Sequence, residues 1–105
     1  MSEHLITSLT NDMVKAVRAL HMRKEREATG RFLAEGLKFI GEALDQGRAP
    51  KMLLVGQDAR PHAILDRAKE ETRKAGGQII TVTHAILEKI SRRDNPQTVL
   101  GVFEQ

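Results

Sequence analysis

Four short apolar runs of strand length, separated by stretches with helical periodicity, constrain this chain more than any other feature. "KMLLVG" (51–56) is a continuous apolar run of the kind that forms a strand buried on both faces. "QIITVT" (78–83) is a second buried run, rich in β-branched residues. "TVLGVFE" (98–104) predicts a last strand with Val99, Gly101 and Phe103 on one face, and "RFLAEG" (31–36) predicts a short strand near the start.

The segments between them predict helices. Thr10-Asn11-Asp12 can cap a first helix whose apolar face carries Met13, Val17 and Leu20, running to about Lys24 or Glu27 and ending at Gly30. "LKFIGEALDQG" turns Leu37, Ile40 and Leu44 inward and stops at Gly47, with Pro50 just beyond. After a turn over 58–61, Pro61 suits the first position of a helix that runs to about Ala75, buries Ile64, Leu65, Ala68 and Thr72, and closes at Gly76-Gly77. Thr83 caps a short helix, "HAILEKI", and "SRRDNPQ" (91–97) is a loop. The order α-β-α-β-α-β-α-β predicts a single-domain, three-layer α/β/α sandwich over 1–105 around a mostly parallel four-stranded sheet.

Composition narrows the functional classes. The chain has no cysteine, which excludes disulfides and thiolate metal sites and fits a reducing, cytoplasmic setting. No basic leader with an apolar run opens the sequence, and no apolar stretch approaches the ~20 residues of a membrane span. The four histidines are scattered without ligand spacing, so no metal site is expected. Phosphate-loop glycine motifs are absent, and no serine sits in a nucleophile motif, so no catalytic residue is expected.

Positive charge is the better lead. Lys15 and Arg18 lie on one side of the first helix, Arg23, Lys24 and Arg26 extend that side to its end, and Arg31 follows the turn. Arg92-Arg93 form a second basic pair before the last strand. These eight residues would match phosphate oxygens if they met in space. Read alone they equally fit a solvated helix face, because Arg23 and Glu27 stand at i, i+4 and Glu25 and Glu27 balance the local charge. The three phenylalanines occupy core-like positions, so no aromatic stacking platform is expected, which favours backbone and shape recognition of folded RNA. Glu35-Gly36 marks the turn from strand into helix, where it is either an N-cap or a set of amides facing the nucleic acid.

Together, "ITSLTNDMVKAVRALHMRKERE", "GRFLAEGLKFIGEAL", "LLVG" and "ILEKISRRDNPQTVLGVFE" resemble the N-terminal substrate-binding domain of SpoU-type (TrmH-like) RNA 2′-O-ribose methyltransferases. The resemblance rests on the N-x-x-V-K of Asn11 to Lys15, the R-K-x-R of Arg23 to Arg26, the F-x-x-E-G of Phe32 to Gly36, and Asn95-Pro96-Gln97. Thr98 stands where the family commonly has glycine, so either the tight turn there differs or the loop is looser than usual.

The resemblance implies a fold like the kink-turn-binding ribosomal proteins and a role in holding structured rRNA or tRNA. Asn95 joins Glu35 and Gly36 as an RNA-facing turn residue. It implies that catalysis, S-adenosylmethionine binding and homodimerisation belong to a knotted C-terminal domain that residues 1–105 do not contain. The isolated domain would be a monomer without a cofactor. The alternatives are a free-standing kink-turn-type RNA-binding scaffold and a protein-interaction module.

Overall fold

A computed structural model describes residues 3–6, 11–91 and 98–105, the first of these by backbone only. The elements are β1 (Glu3–Ile6), α1 (Asp12–Ala19), α2 (Arg23–Thr29), β2 (Arg31–Glu35), α3 (Leu37–Asp45), β3 (Met52–Gly56), α4 (Ala63–Lys74), β4 (Gln78–Val82), α5 (His84–Ile90) and β5 (Val99–Glu104). They form the expected three-layer sandwich, but the sheet has five strands, in the order β1-β4-β3-β5-β2.

Two corrections concern the sheet. β1 was not anticipated: "EHLI" is too short and too polar to stand out, and it becomes a strand by pairing parallel to β4 at the edge. The sheet is mixed where a mostly parallel one was expected. β1, β4 and β3 pair in parallel, whereas β5 runs antiparallel to both β3 and β2. Apolar periodicity fixes which face a strand buries, not which way it runs.

Each face of the sheet carries its own apolar layer. Val14, Val17 and Leu20 of the α1 segment and Ile86, Leu87 and Ile90 of α5 pack on Leu54, Ile80, Val82, Leu100 and Val102. On the other face, Ile40 and Leu44 of α3 and Leu65 and Ala68 of α4 pack on Leu53, Val55, Ile79, Val99 and Phe103. Each fully buried aliphatic or aromatic side chain contributes about 1.5–3 kcal/mol. Phe32 stacks on Phe103, with ring centroids 5.7 Å apart. Gly101 leaves room for that ring: a Cβ there would lie 2.8 Å from a Phe103 ring carbon.

The first helix is also corrected. It breaks at Leu20–Met22, where the N–H groups of Leu20, His21 and Met22 turn back to carbonyls three residues earlier. Met22 then adopts an extended conformation and α2 begins. Leu20 is 4% exposed, whereas α2 has no buried residue. With no apolar stripe beyond Leu20, nothing holds the following polar turns along the sheet.

The remaining helix ends follow the sequence closely. Asn11 caps α1 by accepting the Met13 N–H at 2.8 Å, and Gly30 ends α2 in the left-handed region (φ 67°). α4 starts two residues later than expected, at Ala63 instead of Pro61: His62 caps it through Nδ1, which accepts the Ile64 N–H at 3.0 Å.

Candidate nucleic-acid interface

α1 and α5 lie side by side on one face of the sheet, and a groove of about 700 Å³ runs between them. Because Val14 and Val17 point into the core, Lys15 and Arg18 are carried onto the exposed flank of α1 that lines the groove. Likewise Ile86, Leu87 and Ile90 anchor α5, which leaves Glu88 and Lys89 at the opposite wall. Among the described lining residues, three cations therefore meet one carboxylate, and Glu88 has His84 Nε2 at 3.8 Å on its own helix.

Two hydrogen bonds fix the end of this groove. His21, at the corner after α1, lies 2.6 Å through Nε2 from the Ile90 carbonyl. A carbonyl only accepts, so Nε2 carries the proton and donates. At the same end the Ser91 hydroxyl donates to Glu35 Oε1 at 2.7 Å, tying the end of α5 to the end of β2. Ser91 immediately precedes Arg92 in sequence.

The anticipated basic residues divide into groups. Lys15 and Arg18 share the groove. Arg23 and Lys24 project from the exposed surface of α2, with Arg23 Nε 2.8 Å from Glu27 Oε1 as the spacing predicted. Arg26 has a different position from the one expected, because its guanidinium turns inward and donates to the carbonyls of Leu20 (3.0 Å) and His21 (2.8 Å). It closes the corner between the two helices by capping the end of α1. Arg31 sits on the other flank of α1, at a small pocket of about 90 Å³ shared with Met13, Ala16 and Met52. α1 thus separates Arg31 from Lys15 and Arg18. Arg92, Arg93 and Asn95 lie outside the described residues.

The Glu35-Gly36 turn is resolved in detail. Gly36 is the N-cap of α3 with φ 96° and ψ 158°, a conformation essentially confined to glycine. Its N–H donates to the Val99 carbonyl at 2.9 Å, so this amide serves the junction with β5 instead of facing outward. The Glu35 carboxylate is directed to Ser91, not to the helix N-terminus.

One premise about aromatics is overturned. Phe32 and Phe103 belong to the core, but Phe39 on the first turn of α3 is 48% exposed. Two groove residues were also missed, Lys89 and His21. Lys89 lies far from the basic runs in sequence, and only the packing of α5 against α1 brings it beside Lys15 and Arg18; His21 follows directly from the end of α1, its N–H donating to the Arg18 carbonyl.

Comparison with known proteins identifies the chain's relatives. The family model of the MRM3-like substrate binding domain matches residues 11–101. The chain belongs to that family. An rRNA methyltransferase from Sinorhizobium meliloti is 39% identical with a TM-score of 0.85; the match covers 100% of this chain and 38% of that protein. The same S. meliloti methyltransferase in its AdoMet-bound form is 40% identical with a TM-score of 0.84, covering 98% of this chain and 37% of that one. An RNA 2′-O ribose methyltransferase is 30% identical with a TM-score of 0.76, over 95% of this chain and 37% of that one.

This member of the MRM3-like family thus spans little more than a third of the length of these three methyltransferase structures. A Giardia lamblia 15.5kD RNA binding protein shares the fold at 12% identity and a TM-score of 0.61, covering 92% of this chain and 75% of that one. No curated protein sequence gives a significant match. Among the described residues no helix is long and apolar enough to cross a membrane.

Proposed function

We propose that this chain is the RNA-recognition part of a SpoU-type rRNA or tRNA 2′-O-ribose methyltransferase. It holds structured RNA electrostatically while a second, knotted domain binds S-adenosylmethionine, dimerises and transfers the methyl group. The chain by itself is a monomer, carries no catalytic residue, and acts in the cytoplasm. One observation carries this reading: Lys15 and Arg18 of α1 and Lys89 of α5 face one groove. Cations on facing walls can follow a phosphate backbone in a way that scattered surface charges cannot. Arg23, Lys24 and Arg31 are peripheral contacts in this reading, and Arg26 contributes through the corner it closes.

The likeness to an rRNA methyltransferase at 39% identity supports this reading over that of a free-standing scaffold. Filter binding of the chain to structured ribosomal or transfer RNA over a range of salt concentrations tests it. Each cation removed in Lys15→Ala, Arg18→Ala and Lys89→Ala should lower the slope of log affinity against log salt by about one. Unchanged affinity and slope in the triple variant would overturn the assignment.

A further inference from the structure

We propose that the groove between α1 and α5 seats one unstacked nucleotide of the RNA, with its base against the His21 ring and its phosphates on Lys15, Arg18 and Lys89. This rests on the RNA-binding reading above and adds what part of the RNA the groove takes.

The groove's volume of about 700 Å³ falls in the roughly 300–1,000 Å³ range of small-molecule sites, ample for a nucleotide. Its walls differ in chemistry in the way a nucleotide does. Lys15, Arg18 and Lys89 supply charge along its sides. His21 supplies an aromatic ring, Met22 a polarizable thioether that is 51% exposed, and Ala19 leaves space by being small. Imidazole rings stack unpaired bases, and thioethers pack favourably against aromatic edges.

His21 is the residue that makes the site more than a charged cleft. Its Nε2 is held at 2.6 Å from the Ile90 carbonyl, so the ring orientation is set without a ligand. A fixed ring spares the ordering cost that a free side chain would incur on binding. A base within a duplex has both faces covered by neighbours and cannot stack on His21, whereas an extruded base can. Charge alone would also hold a bare phosphate, so the test must separate base from backbone.

The 105-residue chain is titrated with a short RNA hairpin carrying a single bulged adenosine and with the same hairpin fully paired. The bulged hairpin should bind about tenfold more tightly, the order of one base-stacking contact. His21→Gln keeps a donor for the Ile90 carbonyl but removes the ring, and Ala19→Leu fills the space; each should bring the ratio of the two affinities close to one. Thermal melting confirms which variants fold, and Met22→Ala provides a third, at an exposed position. Equal affinity for both hairpins, or a preference that survives in the folded variants, overturns the nucleotide site. If both hairpins bind equally and both weaken in Lys15→Ala/Arg18→Ala, RNA binding stands and the nucleotide site falls; if neither binds at low salt, both fall together.

Discussion

The Ser91 hydroxyl donates a 2.7 Å hydrogen bond to Glu35 Oε1, joining the end of α5 to the end of β2 across the sheet face that carries the groove. Both residues are at most partly exposed, so the carboxylate depends on this donor more than a surface group would. Ser91→Ala and Glu35→Ala should each destabilise the fold by about 1 kcal/mol. A double-mutant cycle from urea unfolding should give a coupling of about 0.5–1.5 kcal/mol. Strict additivity would show that the pair is incidental.

Two arginines three residues apart should behave differently. Arg23 pairs with Glu27 at the surface, with side chains 84% and 64% exposed. Arg23→Ala should therefore change stability by less than about 0.5 kcal/mol. Arg26 caps two carbonyls from one guanidinium nitrogen. Arg26→Ala should cost about 1.5–3 kcal/mol, and Arg26→Lys should recover only part of it. Urea midpoints of the three variants check the order.

The two side-chain caps on α1 and α5 should also rank by geometry. Asn11 Oδ1 accepts the Met13 N–H at 2.8 Å, whereas Thr83 Oγ1 lies 3.4 Å from the Ile86 nitrogen. Asn11→Ala should cost about 1 kcal/mol and Thr83→Ala less, as measured by thermal or urea unfolding. Equal costs would mean that the Thr83 cap tightens in solution.

Substituting glycines with alanine separates steric from conformational demands. At Gly77 a Cβ would stand 2.7 Å and 2.9 Å from the carbonyl oxygens of Pro50 and Lys51, which belong to the backbone entering β3. At Gly30 nothing lies within 4 Å, but φ is +67°. Gly30→Ala should cost about 1–2 kcal/mol, the strain of the left-handed conformation. Gly77→Ala should cost more, since a strand must move. Melting temperatures of the two variants give the comparison.

How far these features could be read from residues alone depended on whether local pattern or distant packing decides them. The runs at 51–56, 78–83 and 98–104 became β3 to β5 because burial on both faces writes itself into consecutive residues, whereas 31–36 became the edge strand β2, in which only Ala34 is buried. The edge strand Glu3–Ile6 has no such run and exists through its pairing with β4. The Arg23–Glu27 pair was visible in its spacing, being confined to one helix. Arg26 was misjudged because the carbonyls it caps become available only where the first helix breaks, with neither glycine nor proline to announce it. Lys15 and Arg18 were legible as one side of a helix, but Lys89, which faces them across the groove, lies on an element far along the chain. His21 was weighed only as one of four histidines without ligand spacing, because its acceptor is the Ile90 backbone carbonyl, and any residue supplies one of those.

The position of β5 has a consequence for the order of assembly. This strand, last in the sequence, lies between β3 and β2 and supplies the pairing partner that β2 has in the sheet. Gln105 adds one more bond, donating its N–H to the Gly30 carbonyl at 2.8 Å. β2 is made early, but its place in the sheet opens only when nearly the whole domain has been synthesised. Closing that long loop costs entropy before any contact returns it, so this pairing is a late step in folding. The corner carrying Glu35, Gly36 and Ser91 is then completed only as β5 docks. A nascent chain therefore exposes its positive charges well before it has a formed groove in which to present them.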